Sequence, residues 1–271
     1  MRARRPRRSL IALAICAVQL VPIYITLMVA FKPQTDLSSY WAWPADPAPG
    51  NFVHAIEDGH LVRAGVNTFI ITAVSTVLVV IIGAMAAYPL ARYRSRLNAV
   101  VNIFVLSILM IPALSLLVPL YVIFVKTRAI STYHGIILTH VTFNLPLSIF
   151  MFSNFIRTIP RELDEAAVLL GCSIYSVFFR IILPLLRPVT VSVVLLTAGV
   201  VWNDFQYSLY FLQKPKMQVL TLSIASFFGI SGADPHIAAA GAIIAIAPMV
   251  LVYLLLQKYF VKGMIEGALK G

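Results

Sequence analysis

Six apolar stretches of 20 to 27 residues dominate this chain, at 10–31, 66–91, 99–125, 135–155, 185–205 and 237–256. A helix rises about 1.5 Å per residue, so about 20 such residues cross a hydrocarbon core of about 30 Å. Strands of a membrane barrel are about 10 residues long and alternate polar with apolar side chains, which these stretches do not. Their polar interruptions include Gln19, Asn102, Asn144, Arg187, Asn203 and Asp204. The expectation is an all-α bundle of six membrane-spanning helices, with 1–271 forming a single transmembrane domain. Composition agrees: 60% of residues are hydrophobic and 11% charged, against about 25% charged in soluble domains. That excludes an ordinary soluble enzyme, and disorder as well, because disorder needs high charge and low hydrophobicity.

The first stretch follows Arg2, Arg4, Arg5, Arg7 and Arg8, as a secretory leader would. A leader has an apolar region of about 7–15 residues and a small-residue cleavage site. Here the stretch runs 22 residues into Phe31-Lys32-Pro33, so it reads as an uncleaved first span. Orientation follows the Lys/Arg bias of the loops. With the N-terminus inside, the cytoplasmic side holds the five N-terminal arginines, Arg92, Arg94, Arg96, Arg157, Arg161, Arg180, Arg187, Lys258, Lys262 and Lys270. Those are 15 of the 21 basic residues, leaving Lys32, Arg63, Lys126, Arg128, Lys214 and Lys216 outside. Both termini are therefore expected in the cytoplasm of a multi-pass protein of the cell (plasma or inner) membrane. The formal charge of +11 is then a topology signal, and no nucleic-acid partner is needed to explain it.

The longest inner connection, 157–184, has order of its own. Pro160 suits a first helical turn, and Glu162, Asp164 and Glu165 favour a helix N-terminus. Leu163, Ala166, Ala167 and Leu170 fall on one helical face, and Gly171 stands where a helix-ending glycine belongs. Ser173 can cap a second short helix with an apolar face at Ile174, Val177, Phe178 and Ile181, before Pro184. The spacing predicts two amphipathic helices joined at a glycine.

Glu165-Ala166-Ala167, three residues, Gly171, nine residues, then Ile181-x-Leu183-Pro184 resembles the signature loop of permease subunits in binding-protein-dependent ABC importers. The loop's place between the last two spans matches that family too. Val201-Trp202-Asn203-Asp204-Phe205 with Tyr210-Phe211-Leu212-Gln213 resembles its carbohydrate-uptake branch. The tail from Gln257 to Gly271 is similar to the smaller maltose-type permease subunit. This resemblance implies a type I importer fold, and a coupling loop at Glu165, Ala166, Ala167, Gly171, Ile181, Leu183 and Pro184 docked on a cytoplasmic ATPase. It further implies a homologous second permease, two ATPase subunits, an extracytoplasmic binding protein and a sugar substrate, all acting across the lipid bilayer.

Other features carry less. Asn203 and Asp204, at the outer end of the fifth span, either line the translocation pathway or anchor the helix at the headgroups. Asn144 and Gln19 read as interhelical hydrogen-bonding groups. The five histidines form no metal-ligand motif, and Cys16 and Cys172 are too few for a disulfide framework, so no metal or cofactor is expected. There is no phosphate-binding G-x-x-x-x-G-K-[ST], hence a non-catalytic subunit whose ATP is hydrolysed elsewhere. An ABC permease for an amino acid or peptide is the alternative. An ion-coupled secondary transporter is a weaker one, since it would want acidic groups at mid-membrane.

Overall fold

A computed structural model describes residues 5–228 and 234–268, with side chains described over 10–257 apart from 113 and 229–233. Arg2, Arg4, Lys270 and the end of the tail at 269–271 lie outside the described residues. Among the described residues every regular element is helical and none is a strand. In chain order these are α1 (Arg5–Phe31), α2 (Gly50–Asp58), α3 (Leu61–Arg92), α4 (Arg96–Leu109), α5 (Leu117–Lys126), α6 (Tyr133–Thr158) and α7 (Glu162–Leu169). There follow α8 (Ile174–Val177), a π turn (Phe178–Ile182), α9 (Leu183–Leu185), α10 (Arg187–Trp202), α11 (Gln206–Phe211), α12 (Leu220–Ser226) and α13 (Pro235–Ala268).

Among the described residues four helices are long and apolar enough to cross a membrane: Leu10–Phe31, Leu61–Arg92, Tyr133–Thr158 and Pro235–Gln257. The other two expected spans are bent pairs, so the count is four, or six if each pair is one span. The stretch 99–125 divides into α4 and α5 across a 91° break. Pro112 stands at that break with extended backbone, φ −62° and ψ 121°, and its missing N–H removes a helical hydrogen bond there. The stretch 185–205 is represented by α10, whose 16 residues rise only about 24 Å. It meets the preceding segment Ile174–Leu185 at 74°.

The chain forms two compact units. In the first, comprising described residues of 1–65 and 219–248, the loop after α1 is organised around a buried lysine. Lys32 Nζ donates to Ser39 O at 3.0 Å and to Ser38, and pairs with Asp36 at 3.4 Å. Hydrogen bonds from Ser38, with help from Lys32, hold the Asp36 carboxyl below its ordinary pKa. Asn51 Nδ2 donates to Ala30 O and Lys32 O, each at 2.9 Å, tying α2 back to the end of α1.

The second unit, 66–218 with 249–271, carries the core that matters for function. Ala84, Ala87 and Tyr88 of α3 pack with Phe152 and Ile156 of α6, Val177, Phe178 and Ile182 beyond α7, and Val189 and Val193 of α10. Inside a bilayer there is no hydrophobic drive between helices, so close backbone approach and interhelical hydrogen bonds replace it. At Gly83 a Cβ would run into Ser148 Oγ, and that hydroxyl donates to Val79 O at 3.2 Å. The α3–α4 corner is closed by side chains: Ser95 Oγ accepts from Asn98 N, and Asn98 Nδ2 donates to Pro89 O and Tyr93 O at 3.0 and 2.8 Å. Near the other end of α3, Asn67 Nδ2 donates to Lys216 O and Gln218 O, and accepts from Tyr133 Oη at 2.6 Å. Asn144 differs from expectation, because its amide donates to His140 O one turn back on its own helix.

Candidate coupling site

The segment 160–184 folds as the short helix α7 before Gly171 and, after it, a helical run from α8 through the π turn into α9, Ile174–Leu185. Glu162, Asp164 and Glu165 occupy the first turn of α7, where carboxylates offset the exposed N–H groups of a helix start. α7 ends in a Schellman arrangement: Gly171 N donates to Val168 O at 2.9 Å and Cys172 N to Ala167 O at 3.0 Å. Gly171 has φ +84°, the left-handed conformation that glycine reaches without the Cβ penalty. Ser173 then accepts from Ser176 N at 3.2 Å and starts α8.

The seven signature positions divide by exposure. Glu165, Ala166, Gly171 and Pro184 are exposed, Ala167 is buried, and Ile181 and Leu183 are half-buried. Ala167, Ile181 and Leu183 pack on the α3–α6 core. The expected apolar face of α7 is only partly used: Ala167 is 6% exposed, whereas Leu163 is 42% and Leu170 86% exposed. An eight-residue helix with one buried alanine needs another anchor, and that anchor is polar.

Arg92, at the end of α3, is buried and pairs with Asp164 of α7, Nη2 to Oδ2 at 2.7 Å. Its Nη1 donates to Ile159 O at 2.9 Å, and Tyr88 Oη donates to Asp164 Oδ1 at 2.7 Å. Tyr88 and Arg92 are four residues apart and so share one helical face. Sequence reasoning counted Arg92 only as an inside charge and Asp164 only as a helix-start carboxylate. Tyr88 and Asp164 are 76 residues apart, and no local pattern joins them. Beside this anchor is a cavity of about 470 Å³ lined by Tyr88, Arg92, Arg161, Asp164, Glu165 and Leu169, among others.

Asn203 and Asp204 sit beyond the C-terminal end of α10, away from the loop that precedes it. The Asp204 carboxylate accepts from Tyr207 N at 3.2 Å, Ser208 N at 2.9 Å and Ser208 Oγ at 2.7 Å, the first turn of α11. His140 Nε2 of α6 lies 3.6 Å away. The exposed Asn203 donates to Gly199 O at 2.8 Å. Asp204 therefore holds the turn between α10 and α11 and fastens it to α6.

The described residues thus include helices apolar enough to cross a membrane and a loop at 160–184 braced on their core. A family model described as "Binding-protein-dependent transport system inner membrane component" matches residues 79–266. The chain is 41% identical, over 100% of both chains, to the melibiose/raffinose/stachyose import permease protein MelC of Bacillus subtilis (strain 168). It is 32% identical, over 92% of this chain and 91% of the relative, to the probable starch degradation products transport system permease protein AmyC of Thermoanaerobacterium thermosulfurigenes. Among solved structures, a chain of a bacterial ABC transporter involved in import of the acidic polysaccharide alginate matches with TM-score 0.79 at 19% identity. That match covers 96% of this chain and 98% of the other. The chain belongs to the family of binding-protein-dependent transport system inner membrane components, the permeases of ABC importers.

Proposed function

We propose that this chain is the permease subunit of an ATP-driven importer for a sugar or oligosaccharide. In this reading 1–271 is one transmembrane domain with six spans, each bent pair counting as one, and both termini cytoplasmic. A homologous second permease completes the pathway, two cytoplasmic ATPase subunits supply the work, and an extracytoplasmic binding protein delivers the sugar. Full-length similarity to a permease named for the import of melibiose, raffinose and stachyose is the observation that carries the sugar assignment.

The loop geometry supports a mechanism. The exposed face of α7, with Glu165, Ala166 and the Gly171 turn, is what an ATPase cleft grips. Ala167, Ile181, Leu183 and the Arg92–Asp164 pair transfer its movement to α3 and the core, switching the bundle between inward-facing and outward-facing forms. Pro184 ends the loop before α10. Asn203 and Asp204 shape the α10–α11 turn beside the pathway. The test is uptake by vesicles holding the reconstituted four-subunit assembly and its binding protein. Raffinose uptake that needs internal ATP, and that Glu165→Lys stops while the chain stays inserted, is the expected result. Uptake driven by a proton gradient without ATP, or of amino acids or peptides only, overturns the reading.

A further inference from the structure

A second cavity, of about 810 Å³, opens where α3 ends, α4 begins and α6 ends. Arg94, Arg96, Arg157 and Arg161 line it, together with apolar surface that includes Leu90 and Ala99. No carboxylate is among its lining residues. Among the described residues none of these four arginines forms an ion pair, in contrast to Arg92, whose charge is met by Asp164. All four are exposed. The loop bias that orients a membrane protein accounts for arginines on this side. It does not account for four uncompensated ones converging on a single concave site.

We propose that this cavity binds the headgroup of an anionic phospholipid. Three spans terminate around it, which sets it at headgroup depth, and its wall runs from guanidinium to apolar surface, as a lipid runs from phosphate to acyl chain. Guanidinium groups match phosphate oxygens bidentately, and basic pockets between membrane helices on the cytoplasmic side are suited to anionic headgroups. Arg92 lies on the same cavity, so an occupied headgroup site adjoins the anchor that holds α7.

The proposal rests on the reading that this end of the bundle faces the cytoplasm. The intact importer, stripped of lipid in neutral detergent, is titrated with phosphatidylglycerol, phosphatidylcholine or inorganic phosphate, and bound species are counted by native mass spectrometry. Phosphatidylglycerol should bind in preference to phosphatidylcholine. Each arginine removed should cost about fivefold in affinity, hence about 25-fold for R157Q/R161Q. The double variant R180Q/R187Q removes equal charge outside the cavity and should change affinity little. Equal retention of both lipids, equal losses in both variants, or displacement of phosphatidylglycerol by millimolar inorganic phosphate each overturn the lipid site. Sidedness is read separately, by labelling S95C with an impermeant maleimide in a chain whose Cys16 and Cys172 are serine. Labelling from outside overturns the topology reading, whereas lipid retention alone decides the site.

Discussion

Arg92 and Asp164 exchange a full charge pair in a nearly closed setting, with side chains 6% and 15% exposed. Truncating one partner strands the other, which costs about 3–5 kcal/mol for a buried pair. Arg92→Met should therefore lower the thermal stability of the purified importer and uncouple ATP hydrolysis from uptake. The exchange R92D/D164R should recover part of both, as measured by the ratio of sugar transported to ATP hydrolysed. A double variant no better than its single parents refutes the strut. At Gly171 the cost lies in the backbone: an added Cβ meets nothing within 4 Å, so only the left-handed φ opposes a side chain, about 1–2 kcal/mol. Asp204→Ala should lower the yield of folded protein through loss of three hydrogen bonds in the α10–α11 turn, with uptake per inserted molecule little changed. A changed KM at normal yield would instead place Asp204 on the pathway.

Element packing in this chain depends on a few small or polar side chains. Gly83 lets α3 lie against Ser148 of α6 closely enough that Ser148 Oγ reaches Val79 O. Gly83→Val should force the two helices apart and drop the melting temperature of the assembly by several degrees, while Gly199→Ala, whose Cβ meets open space, should leave it unchanged. Differential scanning fluorimetry on both variants makes the comparison. The break between α4 and α5 has the opposite character, since it comes from the chain itself. The chain leaves the helix at Pro112, where the backbone is extended, whereas Pro22, Pro89 and Pro146 stay inside α1, α3 and α6. The apolar run at 99–125 concealed the break because hydropathy counts side chains and not backbone conformation.

For the whole molecule, the scheme demands that work be supplied from outside this chain. The purified polypeptide should show no ATP hydrolysis above background, and activity should appear only when its ATPase partner is added. Phosphate release by the pure chain at rates typical of transport ATPases would defeat the assignment. The apolarity of the membrane segments, the all-helical class, the glycine turn at 171 and the capped start at Ser173 were legible in the sequence. Each depends on residues close together along the chain, where periodicity and turn chemistry act. Tertiary structure alone decided that Ala167 faces the core while Leu170 faces outward, that Asp204 caps a turn and meets His140, and that four arginines from two distant segments converge on one cavity. It also decided that Arg92 and Tyr88 hold Asp164. These partners are brought together only when α3, α4, α6, α7 and the α10–α11 turn pack together, and a pairing across 76 residues leaves no periodic trace in a single sequence.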